Sequence, residues 1–140
     1  MPDKARYIWL FFSSRGRIGR AVYFLANLLI MVLQFYPIYR ATLELVELGP
    51  ENLIGMSMEQ IAMLSPEFER WSSIFSFLVL VMLWPCVALA IKRLHDLGRA
   101  GILAVTLFIP FLNVLVFAAL CVVPGRDQPN AYGRNRDRPE

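Results

Sequence analysis

The chain has 140 residues, which is room for one domain; 57% of them are hydrophobic and only 18% are charged. Soluble domains average about 45–50% apolar and about 25% charged residues, so this composition excludes an ordinary soluble protein. The net charge is +3. The basic residues flank apolar segments, which indicates contact with anionic lipid headgroups and argues against nucleic-acid binding.

The N-terminal part combines a basic leader with a long apolar run. Residues 1–20 carry five Lys and Arg residues and an aromatic patch, YIWLFF, typical of an interfacial segment. Residues 21–39 then contain no charged residue or histidine over 19 positions, and about 20 apolar residues span a bilayer as a helix. The run is too long for a signal-peptide core and lacks a small-residue cleavage site, so we predict a retained first transmembrane helix with its N-terminus in the cytoplasm.

An acidic connector and a second apolar run follow. Residues 40–70 contain six Glu against two Arg, and we predict that they lie outside the cytoplasm. Ser57 with Gln60 resembles a helix capping box, and Pro66 suits a first helical position. Residues 71–91 are again free of charge over 21 positions and form the predicted second transmembrane helix. Its Pro85 predicts a kink.

The polar segment 92–100 separates the second apolar run from the third. Leu97-Gly98 is a typical helix stop with the glycine in the left-handed conformation, and Lys92 and Arg93 would lie near the end of the preceding helix. Because it is positively charged, we predict that this segment is a cytoplasmic loop.

Two physical arguments disagree about the third apolar run, residues 101–123, which contains Pro110. The pieces on either side of Pro110 have 9 and 13 residues, and neither is long enough to cross a bilayer alone, which favours one kinked crossing. A re-entrant run would instead place twelve of the fourteen Lys and Arg residues on one side, but it needs protein or water around its backbone. We favour an all-α integral membrane protein with three transmembrane segments, the third kinked at Pro110. The re-entrant alternative and the side of the polar tail, 124–140, stay open.

Three motifs share the order and spacing of a known family. They are GRIGRAVYF at 16–24, RLHDLGRAG at 93–101 and PGRDQPNAYG at 124–133. With them the chain resembles the DUF805 family, small bacterial inner-membrane proteins of unknown function, over nearly its whole length. The resemblance implies an inner-membrane location and supplies no activity. The chain departs from the family pattern at Val22, where an acid is common, and at Ala100, where serine is usual.

His95 and Asp96 are the most obvious chemical pair. Adjacent helical residues point about 100° apart, so the two do not form a base-and-orienter dyad. We favour a structural role for them, fixing the turn between spans, over proton transfer or metal binding. A sharper hypothesis is a composite site at the cytoplasmic edge, which requires the tail on that side and so depends on the re-entrant alternative. Its members would be Arg17, Arg20, Arg93, His95, Asp96, Arg99, Asn130 and Tyr132.

Polar residues also recur inside the apolar runs at helical spacing. A transport path would use such stripes, but interhelical hydrogen bonding is the commoner role and the one we favour. With a single histidine and two isolated cysteines, Cys86 and Cys121, we expect no metal site, no cofactor and no disulfide. The polar residues concerned are Asn27, Gln34, Thr106 and Asn113.

The sequence leaves three functional hypotheses. The first is a non-enzymatic interaction or envelope-associated component, which forms a homo-oligomer or binds a membrane-protein partner because three helices bury little surface. The second is a small oligomeric transporter or pore that uses the polar stripes. The third is an enzyme that acts on lipid headgroups through His95 and Asp96.

Overall fold

A computed structural model describes residues 3–139 and confirms the all-α fold class. Two short 3-10 segments, Pro50–Leu53 and Gly101–Phe108, interrupt the α-helical parts. The described residues contain no strand, only two isolated bridges. The α-helices are α1 (Asp3–Phe12), α2 (Arg20–Leu48), α3 (Met58–Leu64), α4 (Pro66–Asp96) and α5 (Leu112–Val122).

Helices α2 and α4 contain the first two predicted spans and extend beyond them. They have 29 and 31 residues, and each is long and apolar enough to cross a bilayer. Only 22% of the apolar window of each helix is buried, whereas a helix that is hydrophobic all round is normally buried in a protein core or in a membrane. Helix α2 continues through Pro37 to Leu48, so its apolar part is followed by a further stretch of helix.

The chain forms two compact units, each described here by itself. Unit 2 comprises residues 29–82. In it the predicted capping box is confirmed, because the Gln60 amide donates to Ser57 Oγ (3.3 Å) and the Ser57 amide donates to Gln60 Oε1 (2.8 Å). The ring centres of Trp71 and Tyr36 lie 5.6 Å apart in an edge-on arrangement. The central carbon of the Arg40 guanidinium lies over the Trp71 ring, 5.0 Å from its centre.

Unit 1 combines residues 1–28 with residues 83–140. Its third apolar run is divided into the 3-10 segment and α5 by a turn at residues 109–111, where Phe111 has φ +66°. At about 2.0 Å per residue in a 3-10 helix and about 1.5 Å in an α-helix, each piece is about 16 Å long. Each therefore reaches about half the thickness of a bilayer core.

Both ends of this third run lie beside the C-terminal end of α4. A Cβ added to Gly101 would be 3.0 Å from His95 Nε2, and one added to Gly125 would be 1.7 Å from Asp96 Oδ2. The predicted three-span count and the predicted kink at Pro110 are not confirmed. The run packs inside its own unit, where the ring centres of Tyr23 and Phe117 lie 5.7 Å apart.

Candidate functional site at the C-terminal end of helix α4

The C-terminal ends of α1, α4 and α5 meet in unit 1. The last four carbonyl groups of any α-helix have no partner within the helix, and the helix dipole makes this end negative. Three such ends in one place require hydrogen-bond donors and positive charge. The side chains that supply them come largely from KRLHD, residues 92–96.

Lys92 caps α1. Its ammonium group donates to the carbonyl oxygens of Trp9 (2.9 Å), Ser13 (2.6 Å) and Leu10, and it lies 4.9 Å from the centre of the Trp9 ring. The side chain is fully buried. Burial lowers the pKa of Lys92 to about 8, which is still above neutral pH, so the ammonium group keeps its protons. A second donor at the end of α1 is Trp84 Nε1, 3.0 Å from the Phe12 carbonyl.

Arg93 caps α5. Its Nε donates to the Leu120 carbonyl (2.8 Å) and its Nη2 donates to the Val123 carbonyl. Adjacent residues on a helix point about 100° apart, which lets Lys92 and Arg93 reach two different helices. From the sequence, this pair is interpreted as a topology signal near its own helix end; in the structure it also caps two neighbouring helices.

Helix α4 ends in a Schellman motif. The Arg99 amide donates to the Leu94 carbonyl (2.9 Å) and the Gly98 amide donates to the His95 carbonyl (3.0 Å). Gly98 has φ +69°, which confirms the predicted left-handed glycine cap. The tail supplies further donors, because the Arg126 amide reaches the Asp96 carbonyl (3.0 Å).

Asp96 is the centre of the cluster. Its side chain is 0% exposed and is bound by three guanidinium groups among the described residues: Arg17 Nη2 at 3.0 Å, Arg136 Nε at 2.8 Å, and Arg93 Nη1. Asp96 and Gly125 are so close that no other residue type fits at position 125 without displacing the carboxylate. A buried carboxylate needs paired charge and hydrogen bonds, and the arginines supply both.

Arg17 orders the tail that follows α5. It is 1% exposed, and besides Asp96 it donates to the carbonyls of Gln128 (2.8 Å), Gly133 (3.3 Å) and Arg126. The planar guanidinium has five N–H donors in a fixed fork, so one side chain can bind several carbonyls of a segment that has no regular structure. Arg17 therefore joins the N-terminal motif, the RLHD turn and the tail.

His95 and Tyr132 form a stacked pair. Their ring centres are 4.0 Å apart and their planes differ by 3°. His95 Nδ1 lies 3.3 Å from the Gly16 carbonyl; a carbonyl only accepts, so this nitrogen carries the hydrogen. Burial lowers the pKa of His95, although the bond to Gly16 acts in the opposite direction, so the ring is neutral at neutral pH. Asn130 Nδ2 completes the contact by donating to the His95 carbonyl (2.9 Å).

Asp137 occupies the start of α2. The Gly19 amide donates to Asp137 Oδ1 (2.7 Å), and the Asp137 amide donates to the Arg17 carbonyl (2.9 Å). The N-terminal end of a helix is the positive end of its dipole, which favours a carboxylate there. The ends of α1 and α5 and the start of α2 thus each meet the opposite charge, whereas neutral amide groups cap α4.

The structure brings six of the eight proposed site residues together. Arg20 and Arg99 are exposed, and their side chains make no hydrogen bond with the described part of the chain. Lys92, Arg136 and Asp137 also take part in these contacts, although the motifs do not predict them. For the last two, nothing in a Pro- and Arg-rich tail indicates which residue turns inward. The six that meet are Arg17, Arg93, His95, Asp96, Asn130 and Tyr132.

Two of the four polar residues predicted for interhelical bonding, Asn27 and Thr106, instead bond to the backbone of their own helical segment. Asn27 Nδ2 donates to the Tyr23 carbonyl (2.8 Å), and Thr106 Oγ1 donates to the Leu103 carbonyl (2.7 Å). Asn27 and Asn113 line one cavity of about 380 Å³ in unit 1. Gln34 belongs to unit 2. Across residues 3–139 no group of three potential metal ligands was found.

These features define an all-helical protein with two helices long enough to cross a bilayer and with a buried arginine–aspartate cluster. The chain belongs to the family described as "Protein of unknown function (DUF805)", whose model matches residues 11–134. A stretch of 51 residues is 41% identical to proteins named "Inner membrane protein YhaI" from Escherichia coli K12 and from Escherichia coli O157:H7. That stretch covers 36% of this chain and 43% of the length of those relatives. No solved structure matches the chain.

Proposed function

We propose that the chain is a multi-pass protein of the bacterial inner membrane, in which α2 and α4 cross the bilayer. The N-terminus, the 92–100 turn and the C-terminal tail share the cytoplasmic side. The contacts of Asp96 with Arg17 and Arg136 support this arrangement, because they join all three segments. Twelve of the fourteen Lys and Arg residues then lie on one side, as the positive-inside rule favours.

In this arrangement residues 101–122 enter the bilayer and return. The two pieces are each about half a membrane thick, and their tip carries Phe111, which is 88% exposed and suited to hydrocarbon. Backbone that is not regular helix needs protein around it at membrane depth. The packing of Phe117 against Tyr23 supports the proposal, because it is a contact of this kind.

Thiol labelling tests the topology. In a variant without Cys86 and Cys121, Ala131→Cys and Glu51→Cys each place one thiol at an exposed position, the first in the tail and the second in the connector. A membrane-impermeant maleimide should label Cys at 131 only in inverted vesicles and Cys at 51 only in spheroplasts. Labelling of both in spheroplasts contradicts the proposal.

We also propose that the protein is not an enzyme but an interaction or envelope-associated component of the membrane. One observation carries this: the charged groups of the RLHD motif are used in capping and in pairing. A general acid or base must come within hydrogen-bond reach of its substrate, whereas Asp96 is 0% exposed. Tyr132 covers one face of the His95 ring, and His95 Nδ1 donates a hydrogen bond to the Gly16 carbonyl. These contacts support a structural role for the motif.

The exposed faces of α2 and α4 offer surface for a second copy or for a membrane-protein partner. A photocrosslinking amino acid at Leu80, which is 72% exposed, should react with one such protein in native membranes. The same group at Ala88, which is 0% exposed, is the matched control and should give no protein adduct. Lipid adducts alone at position 80 would contradict the interaction role.

A second candidate, a small oligomeric pore, draws on the cavity that Tyr23, Asn27 and Asn113 line. It predicts ion or solute flux through liposomes that contain the purified protein. Flux that is lost in Asn27→Leu and Gln34→Leu variants would replace the interaction role with the pore; liposomes that stay tight would leave the interaction role as proposed.

A further inference from the structure

A cleft of about 540 Å³ opens beside the His95–Tyr132 pair in unit 1. Its walls come from α1, from the loop that joins α1 to α2, and from the tail at residues 130–134. Arg15 and Arg134 are among the residues that line it, and its lining contains no carboxylate side chain among the described residues. The charged side chains that line the cleft are therefore arginines, and Asp96, which is not part of the lining, is bound by its own arginines.

The cleft is held in shape by contacts that involve Trp9. The Trp9 indole nitrogen donates to the Arg15 carbonyl (3.0 Å). Gly16 has φ +95°, and a Cβ there would lie 2.9 Å from the Trp9 ring, so the loop passes directly over the indole. On the other wall the Tyr132 ring is fixed by its stacking on His95. Preorganised walls of this kind reduce the conformational cost of binding a ligand.

The neighbouring face of α1 indicates what kind of anion reaches the cleft. Tyr7, Ile8 and Phe12 on α1 are 63%, 63% and 57% exposed, and Lys4 and Arg6 lie on the same helix. A short helix with exposed aromatic and aliphatic side chains beside basic ones is typical of an element that lies in the membrane interface. The cleft would therefore lie at the level of the lipid headgroups. A lipid whose headgroup enters the cleft could place its acyl chains against the apolar side chains of α1.

We propose that this cleft binds the phosphate group of an anionic phospholipid headgroup, with Arg15 and Arg134 as the charged contacts. Guanidinium groups bind phosphate oxygens through paired, charge-assisted hydrogen bonds. Trp9 and Tyr132 form walls of the kind that is favoured at the interface. The inference rests on the proposed function, since it is the cytoplasmic leaflet that presents anionic lipid to this side of the protein.

Native mass spectrometry of the full chain, released from detergent micelles, tests the site without reference to membrane orientation. The probes are phosphatidylglycerol and phosphatidylcholine at equal mole fraction, with inorganic phosphate as competitor. We expect one phosphatidylglycerol to bind with at least tenfold preference. The double variant Arg15→Gln/Arg134→Gln should lose this preference about tenfold. The matched control Arg20→Gln/Arg99→Gln removes two exposed arginines that do not line the cleft, and it should change binding less than threefold.

Each other result overturns the proposal. Equal loss in both double variants would mean attraction to charge without a site. Displacement of the lipid by millimolar inorganic phosphate, with the same dependence on Arg15 and Arg134, would assign the cleft to a soluble phosphorylated ligand. No preference for phosphatidylglycerol in the unaltered chain would leave the cleft without this ligand. A failure here leaves the maleimide labelling of residues 131 and 51 untouched, so the two proposals fail separately.

Discussion

Replacement of Asp96 by asparagine removes the charge at the centre of the cluster and keeps the shape of the side chain. The carboxylate accepts hydrogen bonds from Arg17, Arg93 and Arg136. Asparagine has one acceptor oxygen and one NH₂ group. Its NH₂ group would therefore face a guanidinium N–H, and two hydrogen-bond donors would oppose each other. Arg17 and Arg93 would remain buried with carbonyl oxygens as partners and no counter-charge.

The expected cost is large because both charges are out of contact with solvent. Removal of one partner of a buried ion pair costs about 3–5 kcal/mol, and Asp96 and Arg93 are each 0% exposed. One kcal/mol moves the melting temperature of a chain of this size by about 2–8 °C. Asp96→Asn should therefore lower the melting temperature in detergent by about 10 °C or more.

Asp127 provides the matched control for this experiment. It also pairs with Arg136, at 3.3 Å, but it is 94% exposed, and an exposed ion pair contributes little. Asp127→Asn should change the free energy of unfolding by less than about 0.5 kcal/mol. Thermal unfolding followed by circular dichroism measures both variants. If Asp96→Asn melts within about 2 °C of the unaltered protein, or no lower than Asp127→Asn, the buried cluster does not hold the fold as we describe.

Three further predictions concern the same end of the molecule. Lys92→Met should leave the last carbonyls of α1 without their cap and speed tryptic cleavage within α1 several-fold. Exposed Arg99→Met, which removes a basic residue outside α1, should not; unchanged digestion of Lys92→Met refutes the cap. Gly125→Ala should prevent accumulation of folded protein because its Cβ would overlap Asp96. The control Gly55→Ala, at a position with open space and φ +85°, should lower the free energy of unfolding by only about 1 kcal/mol. If both variants lose folded protein equally, the contact between Gly125 and Asp96 is refuted. Burial lowers the pKa of His95 from 6.5, so the unfolded chain takes up the proton first and stability falls as pH drops below about 6.5. The melting temperature should fall more between pH 7.5 and pH 5.5 than in His95→Gln, and parallel pH curves would contradict this.

Composition and local patterns predicted most of the helical architecture. Apolar runs without charge predicted α2 and α4, because a helix of about 20 apolar residues has no stable place in water. The capping box at Ser57 and the glycine stop at Gly98 were predicted in the same way, from short-range hydrogen bonding that a few residues determine.

The third apolar run is the part of the chain on which two arguments from the sequence disagree. Its pieces were too short to cross, so a single crossing was favoured, although the distribution of Lys and Arg favoured a return. The structure adds a turn at Phe111 and packing of Phe117 on Tyr23, which support the returning arrangement that we propose. The backbone of a returning run is acceptable only where such protein contacts exist, and a contact between residues 94 positions apart has no local sequence signal.

The candidate site was predicted in its centre and missed at its edges. Arg17, Asp96 and Tyr132 lie in recognisable motifs, so their association could be proposed from spacing and charge. Arg136 and Asp137 follow those motifs in an irregular tail and beyond the residues that the family model matches. Their positions depend on Asp96 and on the start of α2, which only the folded chain brings to them.

In the arrangement that we propose, the RLHD turn and the C-terminal tail share one side of the membrane and contact each other. A chain without Cys86 and Cys121 that carries His95→Cys and Tyr132→Cys tests it directly in native membranes, since the two rings are stacked 4.0 Å apart. Oxidation should give an intramolecular disulfide in most molecules, and the single-cysteine variants measure any link between two copies. If the folded protein is present at normal abundance but forms no such disulfide, the proposed contact between the RLHD turn and the tail is contradicted.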